Sequence, residues 1–227
     1  MGFNETVHAY IAAKFYTYMT EEFGERGKKA FLHGTQGYAY QRGRRMAQRA
    51  IRDGYELNQA AYNGYGEWAT TDDVREMGCA IQSDHTQEGI MKITACPWHA
   101  MFKKMGATEA GTIYCGDLDA SISRGFNPEL GYKVDQTLHT ADCCIHRVIN
   151  GDINASSGRT KAPDDVKDFN YHCAHLYFAY AEVCAAIFEE AGEAVNKKVL
   201  ADFTADYGKE MADDLMKYEG TNFNVCR

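Results

Sequence analysis

A cysteine and an aspartate in the middle of the chain could supply a nucleophile and a base. Cys115 and Asp119 lie four residues apart, so a helix would place them on one face, whose other members are small or apolar: Gly111, Leu118, Ile122 and Phe126. A carboxylate on such a face needs a hydrogen bond, an ion pair or a proton. Asp119 is therefore either a structural tie for a backbone end or an arginine, or a functional acid. Cys115 is either a small buried hydrophobic residue or a nucleophile or ligand.

A second thiol lies close in sequence to an imidazole. Residues 142–149 alternate as a strand would, which puts Cys144 and His146 on one face. A thiol and an imidazole that face one cavity suit thiolate activation by the imidazole, or ligation of a metal. Either face of this strand is also apolar enough to pack against the core. Both interpretations stay open for Cys144.

Metal-ligating patterns are sparse in this sequence. Cys96 and His99 are separated by two residues at the Pro97 turn, a spacing that zinc sites use. This pair supplies two of the four ligands that a structural zinc site needs. The sequence therefore leaves the cofactor unknown, with a divalent metal as an open option.

Two sets of basic side chains could either bind a substrate or serve the fold. His172 and His175 lie three apart in a segment that is apolar nearly all round, so hydrogen-bonded core groups are the favoured interpretation. An earlier stripe consists of Arg42, Arg45, Arg49 and Arg52. Such a stripe is usually a solvated face, but an arginine at the edge of the core could hold a substrate carboxylate through two parallel hydrogen bonds.

The elements that position these residues are helices at the two ends and strands in the middle. Helical periodicity covers residues 6–23, 25–53, 56–65, 109–126, 164–191 and 193–218, and Pro97 begins a further helix. Alternation predicts a hairpin within 77–95, with its turn at 87–89, and strands at 132–138 and 142–149. We therefore predict an α+β fold, a small antiparallel sheet of about four strands flanked by N-terminal and C-terminal helices. The length suits a single domain, 1–227.

Composition and charge narrow the class of partner. With 24 basic and 32 acidic residues the net charge is −8, which argues against general affinity for nucleic acid or for anionic membranes. The first 22 residues lack the basic start and apolar core of a signal peptide, and no apolar run is long enough to span a membrane. We therefore predict a soluble cytoplasmic protein whose eight cysteines form no disulfide. A small-molecule partner is favoured, and a homo-oligomer stays open.

Several motifs, taken in order and spacing, resemble the L-2-amino-thiazoline-4-carboxylic acid hydrolase family. The central ones are Cys96-Pro97-Trp98, the run Tyr114-Cys115-Gly116-Asp117-Leu118-Asp119, Gly125-Phe126-Asn127-Pro128, and Thr137-Leu138 ahead of Cys144. Earlier and later segments also look like that family: Gly24-Glu25-Arg26-Gly27, Gly43-Arg44-Arg45-Met46-Ala47 and the run from Phe169 to Tyr177. The resemblance therefore extends over most of the chain.

The resemblance implies a hydrolase acting on carbon–nitrogen bonds other than peptide bonds. It would open a small cyclic amidine-like or imide-like ring that carries a carboxylate, giving a carbamoyl derivative of cysteine. A cysteine thiolate, or water activated by Asp119, would attack the electron-poor ring carbon, and an arginine would hold the carboxylate. The candidate catalytic residues are Cys115, Asp119 and Cys144, and the candidate substrate-binding residues are Asn127, Trp98, Arg45 and His175.

Two other functions suit the same residues. One is a small-molecule-binding domain without catalysis, since thiols in a pocket between helices and a sheet would serve it equally. The other is a metal- or redox-responsive sensor built on Cys96, His99, Cys143, Cys144 and His146. The enzyme hypothesis requires that Cys115 and Asp119 face one cavity.

Overall fold

The computed structural model describes residues 2–78, 80–85, 89–149 and 151–226. Its helices are α1 (Glu5–Phe23), α2 (Glu25–Arg52), α3 (Gln59–Gly64), α4 (Asp72–Glu76), α5 (Pro97–Lys104), α6 (Thr108–Phe126), α7 (Phe169–Tyr207) and α8 (Lys209–Met216). Its strands are β1 (Gln82–His85), β2 (Ile90–Ala95), β3 (Tyr132–Gln136) and β4 (Cys144–Val148). Short 3₁₀ turns occupy Pro128–Leu130 and Pro163–Asp165. The predicted α+β fold class is confirmed.

The four strands form one antiparallel sheet in the order β1-β2-β4-β3. In this register Cys144 pairs with Ile93, and His146 lies between Met91 and Val134. The strand β4 is thus an inner strand with a neighbour on each side. Cys144 and His146 are both buried, while the alternating Arg147 is exposed, so the two chemically active side chains of β4 share the buried face.

Helices α1, α2, α6 and α7 build the core, and glycines allow α2 and α6 to approach closely. A Cβ atom at Gly43 would collide with the backbone carbonyl of Ile122, and one at Gly125 with the carbonyl of Tyr40. Neither position can carry a side chain without separating the two helices. This contact brings Arg42 of α2 beside the Cys115 to Asp119 face of α6.

The start of the predicted hairpin differs from the structure. The segment before β1 forms α4, whose first turn carries two acidic residues that complement the helix dipole. Met77, predicted to lie in a strand, caps this helix, and Gly78 follows it with a positive φ of 67°. Cys79 and residues 86–88, which include most of the predicted turn, lie outside the described residues. The pairing of β1 with β2 agrees with the predicted hairpin.

The break predicted near Gly192 lies three residues earlier in the structure, and the predicted last helix has a further break. The backbone of α7 is non-helical at Glu189, whose φ is 53°, so two helical segments meet there in a kink. The further break comes at Gly208, which has φ 91° and so favours glycine. Gly192 follows the kink closely, and a Cβ atom there would collide with the carbonyl of Cys184 on the other segment. No helix among the described residues is long and apolar enough to cross a membrane.

Candidate active site

A cavity of about 90 Å³ lies where α2, α5 and α6 meet the buried face of the sheet. Its lining contains three thiols, two charged groups, two imidazoles and an apolar wall. These are Cys96, Cys115 and Cys144; Arg42 and Asp119; His8 and His146; and Trp68, Trp98, Tyr114, Leu118, Ile81 and Ile93. All three predicted catalytic residues, Cys115, Asp119 and Cys144, therefore line one cavity, together with the predicted substrate contact Trp98.

Cys115 lies between the cavity and an imidazole. Its Sγ is 3.5 Å from Nε2 of His139, which precedes β4 in the chain. Burial raises the pKa of the Cys115 thiol well above its usual value. Burial, reinforced by the nearby His99, lowers the pKa of His139 to about 4. At neutral pH the pair is therefore a neutral thiol beside a neutral imidazole.

Glycine makes the room that His139 occupies. Gly111 precedes Cys115 by one helical turn, and a Cβ atom at Gly111 would collide with the imidazole ring of His139. The His139 Nδ1 atom is buried and has no hydrogen-bond partner among the described residues. The ring of His99 on α5 lies 4.8 Å away between centroids. His139 is thus held against the thiol mainly by packing.

Asp119 lies at the rim of the cavity. Its side chain is 38% exposed, and its Oδ2 is 3.8 Å from Nδ1 of His146. The Tyr132 hydroxyl is 2.8 Å from the same nitrogen and fixes the imidazole on the buried face of β4. Asp117, two residues before Asp119, instead accepts hydrogen bonds from the buried Ser121 and the exposed Arg124, outside the cavity lining. Asp119 thus has a free carboxylate face toward the cavity, and solvent access removes the cost of a fully buried charge.

The other two thiols of the cavity are held by backbone groups. Cys144 Sγ accepts a hydrogen bond of 3.2 Å from the Leu138 amide, and burial raises the pKa of this thiol. Cys96 caps the N-terminus of α5, where burial raises its pKa to about 12 despite the amides of Trp98 and His99. Neither thiol is ionised at neutral pH.

Arg42 presents a guanidinium group to the cavity without a full set of partners. Its side chain is 10% exposed, and its buried Nε atom has no hydrogen-bond partner among the described residues. The nearest carboxylate oxygen, Oε2 of Glu67, is 3.9 Å away and is already bonded to Arg45. Buried guanidinium groups are normally paired. Arg42 therefore has donors available for an anion in the cavity.

Three predicted substrate-binding residues lie outside the cavity lining. Arg45, one turn after Arg42, forms two hydrogen bonds with Glu67 and a third with the carbonyl of Phe223. His175 is buried, with Nε2 2.7 Å from Gln41 Oε1 and its ring stacked on Phe223. Both side chains bind protein groups.

Asn127 is the third of these residues. Its amide donates to the carbonyl of Leu57, and its side-chain oxygen accepts from the Glu129 amide. It therefore serves the turn after α6, in a separate surface depression.

The tryptophan in the cavity wall is oriented by a buried histidine. Trp98 Nε1, which can only donate, lies 3.1 Å from His8 Nδ1, so that nitrogen carries no proton. The proton of His8 therefore sits on Nε2, 3.1 Å from the Tyr38 hydroxyl. Burial lowers the pKa of His8 well below its usual value, which keeps the ring neutral and this orientation fixed.

Three of the five residues of the sensor hypothesis line the cavity, Cys96, Cys144 and His146, and the other two lie outside its lining. Cys143 Sγ accepts from Gln136 Nε2, away from the cavity lining, and His99 packs on His139. Among the described residues no group of three or more His, Cys, Asp or Glu side chains is placed to hold a metal ion. The seven described cysteines are free.

Sequence reasoning missed His139 and chose Arg45 where the structure places Arg42 at the cavity. Arg42 and Arg45 belong to the same stripe, and spacing alone cannot tell which of them faces the sheet. A usable signal for His139 is Gly111, because a glycine on an apolar helix face one turn before a thiol leaves space for another group. The partner that fills that space is not evident from the sequence.

Comparison with known families agrees with the position of the cavity. The family model described as L-2-amino-thiazoline-4-carboxylic acid hydrolase matches residues 4–148, which include every residue of the cavity lining. Curated protein sequences and solved structures give no significant match to the chain. The match covers well over half of the sequence, and the chain belongs to the L-2-amino-thiazoline-4-carboxylic acid hydrolase family.

Proposed function

We propose that the cavity hydrolyses a small cyclic amidine-like or imide-like ring that bears a carboxylate, of the L-2-amino-thiazoline-4-carboxylate type. The reaction class is hydrolysis at carbon–nitrogen centres other than peptide bonds. One observation carries the proposal: a thiol, a carboxylate and a guanidinium group with an unpaired nitrogen line the same small cavity. They belong to Cys115, Asp119 and Arg42.

Arg42 would bind the substrate carboxylate. A carboxylate can accept two parallel hydrogen bonds from a guanidinium group, and such charged pairs are strong where water is largely excluded. Within the described part of the chain no carboxylate lies at hydrogen-bond distance from Arg42, because Glu67 already accepts from Arg45 and Arg49. A substrate carboxylate would complete the set of partners that the fold leaves open.

Asp119 would face the nitrogen end of the ring. A protonated amidine is a planar cation with N–H donors, and Asp119 presents a carboxylate at the cavity rim with His146 beside it. Arg42 and Asp119 would thus bind the two charged ends of one zwitterionic molecule, with the ring against Trp98. The same carboxylate could accept a proton from the nitrogen and return it to the leaving heteroatom.

Cys115 is the favoured nucleophile because its sulfur lies both on the cavity and beside an imidazole nitrogen. Its sulfur would add to the amidine carbon while the carbon–nitrogen π pair moves to nitrogen, which gains a proton. The ring heteroatom then leaves with its bonding electrons and a proton. Water displaces Cys115 from the carbon, so one water is consumed and the thiol is restored.

The test is ring opening of 2-amino-thiazoline-4-carboxylate and related cyclic amidines and imides, with and without added divalent metal. Cys115→Ser should lower turnover by roughly 100-fold or more, because a hydroxyl forms its anion far less readily than a thiol. Cys184→Ser is the matched control, since Cys184 is a buried thiol of α7 outside the cavity lining. Cys144→Ser separates the second thiol from the first.

One observation favours the alternative of a binding or sensor domain without catalysis. All three thiols of the cavity are neutral at neutral pH, because burial raises their pKa values. Such thiols are unreactive until a ligand or a base changes their state. If the protein binds these rings tightly but opens none of them under any metal condition, the binding function replaces the hydrolase.

A further inference from the structure

We infer that His139 is the base that accepts the thiol proton of Cys115 when an electrophile enters the cavity. The inference rests on the proposed function in taking Cys115 as the nucleophile. Nε2 of His139 lies 3.5 Å from Sγ, and the imidazole is not part of the cavity lining, whereas the sulfur is. The base therefore contacts the nucleophile from behind, and the substrate side of the sulfur stays open.

The surroundings of His139 suit proton transfer during attack and do not suit a stored ion pair. Burial disfavours the thiolate of Cys115 and the imidazolium of His139 alike, since it raises one pKa and lowers the other to about 4. The titratable groups that face the His139 ring are Cys115 on α6 and His99 on α5, with Lys103 beside His99. None of them is an anion at neutral pH that would hold an imidazolium in advance.

The absence of a side chain at Gly111 leaves room for the His139 ring. A side chain at this position would occupy the space of the imidazole ring, so the glycine on α6 is what allows His139 to reach the sulfur. Helical glycine destabilises a helix by about 1 kcal/mol relative to alanine. The structure thus carries a local cost whose result is the contact between the thiol and the imidazole.

The proton balance of the step is complete. The S–H bond of Cys115 breaks, its proton moves to Nε2 of His139, and the sulfur pair forms the bond to the electrophilic carbon. With an amidine, Asp119 protonates the leaving heteroatom, and the imidazolium returns its proton to the Cys115 sulfur when water displaces that sulfur from the carbon. With iodoacetamide as a probe, a carbon–sulfur bond forms, iodide leaves, and the proton passes from His139 to solvent.

The experiment measures alkylation of Cys115 by iodoacetamide, followed by mass spectrometry of the peptide that contains it, from about pH 5 to pH 8. In the unmodified protein the rate should be nearly independent of pH, because the imidazole is already neutral and the thiol never ionises in this range. In His139→Ala the rate at pH 7 should fall at least tenfold and should rise about tenfold per pH unit, since thiolate then becomes the reacting form.

Two further variants separate a base from a structural group. Gly111→Ala keeps every titratable residue but displaces the His139 ring, so it should reproduce the His139→Ala profile. His99→Ala, the matched control on α5, should keep the flat profile. His139→Gln retains much of the volume and shows whether loss of packing alone changes the rate. Circular dichroism checks that each variant is folded.

The outcomes distinguish this inference from the proposed function. Both the inference and the proposed function are supported if the alkylation rate is independent of pH in the unmodified protein and depends on pH in His139→Ala, and if that variant also opens rings roughly 100-fold more slowly. The same profile without any ring opening supports the thiol and imidazole pair and rejects the proposed substrates. An alkylation rate that rises tenfold per pH unit in the unmodified protein, or a profile that His139→Ala leaves unchanged, overturns the inference even if rings are opened.

Discussion

Two buried arginines of α2, Arg45 and Arg42, lie one turn apart and differ in how fully their guanidinium groups are paired. Around Arg45 the charges are matched: Glu67 accepts from Arg45 at 3.0 and 2.6 Å and from Arg49 at 2.5 Å, and its side chain is 0% exposed. Around Arg42 they are not: the Nε atom has no partner among the described residues and the guanidinium borders a cavity. We call Arg45, Arg49 and Glu67 the Glu67 cluster.

The difference indicates that the Glu67 cluster stabilises the fold, whereas Arg42 is available to bind a ligand. Burial alone would raise the pKa of Glu67, but the guanidinium groups of Arg45 and Arg49 lower it to about 2, so the carboxylate is ionised. Every guanidinium nitrogen of Arg45 has a hydrogen-bond partner. The members of the cluster tie α2 to the segment before α4 and, through the Phe223 carbonyl, to the C-terminal residues. A fully paired guanidinium group stabilises the fold, whereas an incompletely paired one that borders a cavity marks a place where a ligand can supply the partner.

The largest loss of stability should come from removing one charge of the Glu67 cluster. Glu67→Gln would leave buried guanidinium groups without a counter-charge, and Arg45→Gln would leave the carboxylate short of its main partner. Removing one member of a buried ion pair costs about 3 to 5 kcal/mol. Urea unfolding followed by circular dichroism would measure this loss. Glu109→Gln, at the exposed pair with Lys28, is the control and should cost under about 1 kcal/mol.

The second-largest effect on the free energy of unfolding should come from lowering the pH. His8, His172 and His175 are buried, and burial lowers the pKa of each, to about 3 for His172. The unfolded chain binds protons at these residues below about pH 6.5 while the folded chain does not, so their stabilisation is present above that pH and is lost as the pH falls. Together they should cost about 2 kcal/mol between pH 7.5 and pH 6.0.

Urea midpoints at the two pH values would measure this second effect. Equal midpoints would mean that the three rings are protonated in the folded state and that their assigned neutral hydrogen bonds are wrong. The tautomer of His8, and with it the orientation of Trp98, depends on the same neutrality.

Much of the fold follows from periodicity, and the exceptions have identifiable causes. Helices α1, α2 and α6 and strands β2 to β4 lie close to their predicted ranges, because apolar spacing and bounding glycines or prolines mark them locally. Helix α4 was missed because a single helical turn has too few apolar positions to set a period. The break predicted near Gly192 lies at Glu189, three residues earlier, and the further break at Gly208 was missed because the apolar period continues across it.

The site was predictable only in part, since convergence is a property of the tertiary structure. Cys115 and Asp119 were paired correctly on one face because a single helix carries both. Cys144 reaches the same cavity through the register of β4 against β2, which the sequence does not specify. His139 follows β3 in an irregular loop, where neither period nor spacing shows what a side chain will contact.

A smaller effect on stability should follow from Arg42→Gln, the counterpart of Arg45→Gln one turn away. Because Arg42 lacks strong partners, its removal should change the free energy of unfolding by no more than about 1 kcal/mol. The KM for a carboxylate-bearing substrate should rise roughly 30-fold, since a charged hydrogen bond is lost. A stability loss equal to that of Arg45→Gln would show that Arg42 belongs to the Glu67 cluster.

The smallest stability effect should come from Asp119→Asn, and it is the sharpest test of the comparison. The Asp119 side chain is 38% exposed and its nearest basic atom is 3.8 Å away, so losing the charge should alter the free energy of unfolding by about 0.5 kcal/mol or less. Turnover should nevertheless fall roughly 100-fold, because an amide neither accepts a proton nor neutralises an amidinium. Asp117→Asn is the matched control: it lies on the same helix, its carboxylate pairs with Ser121 and Arg124 outside the cavity lining, and its turnover should stay unchanged. Equal turnover in the two variants would remove Asp119 from the chemistry. A large loss of stability in Asp119→Asn would instead place this carboxylate with the Glu67 cluster, as a structural charge whose effect on turnover follows from the fold.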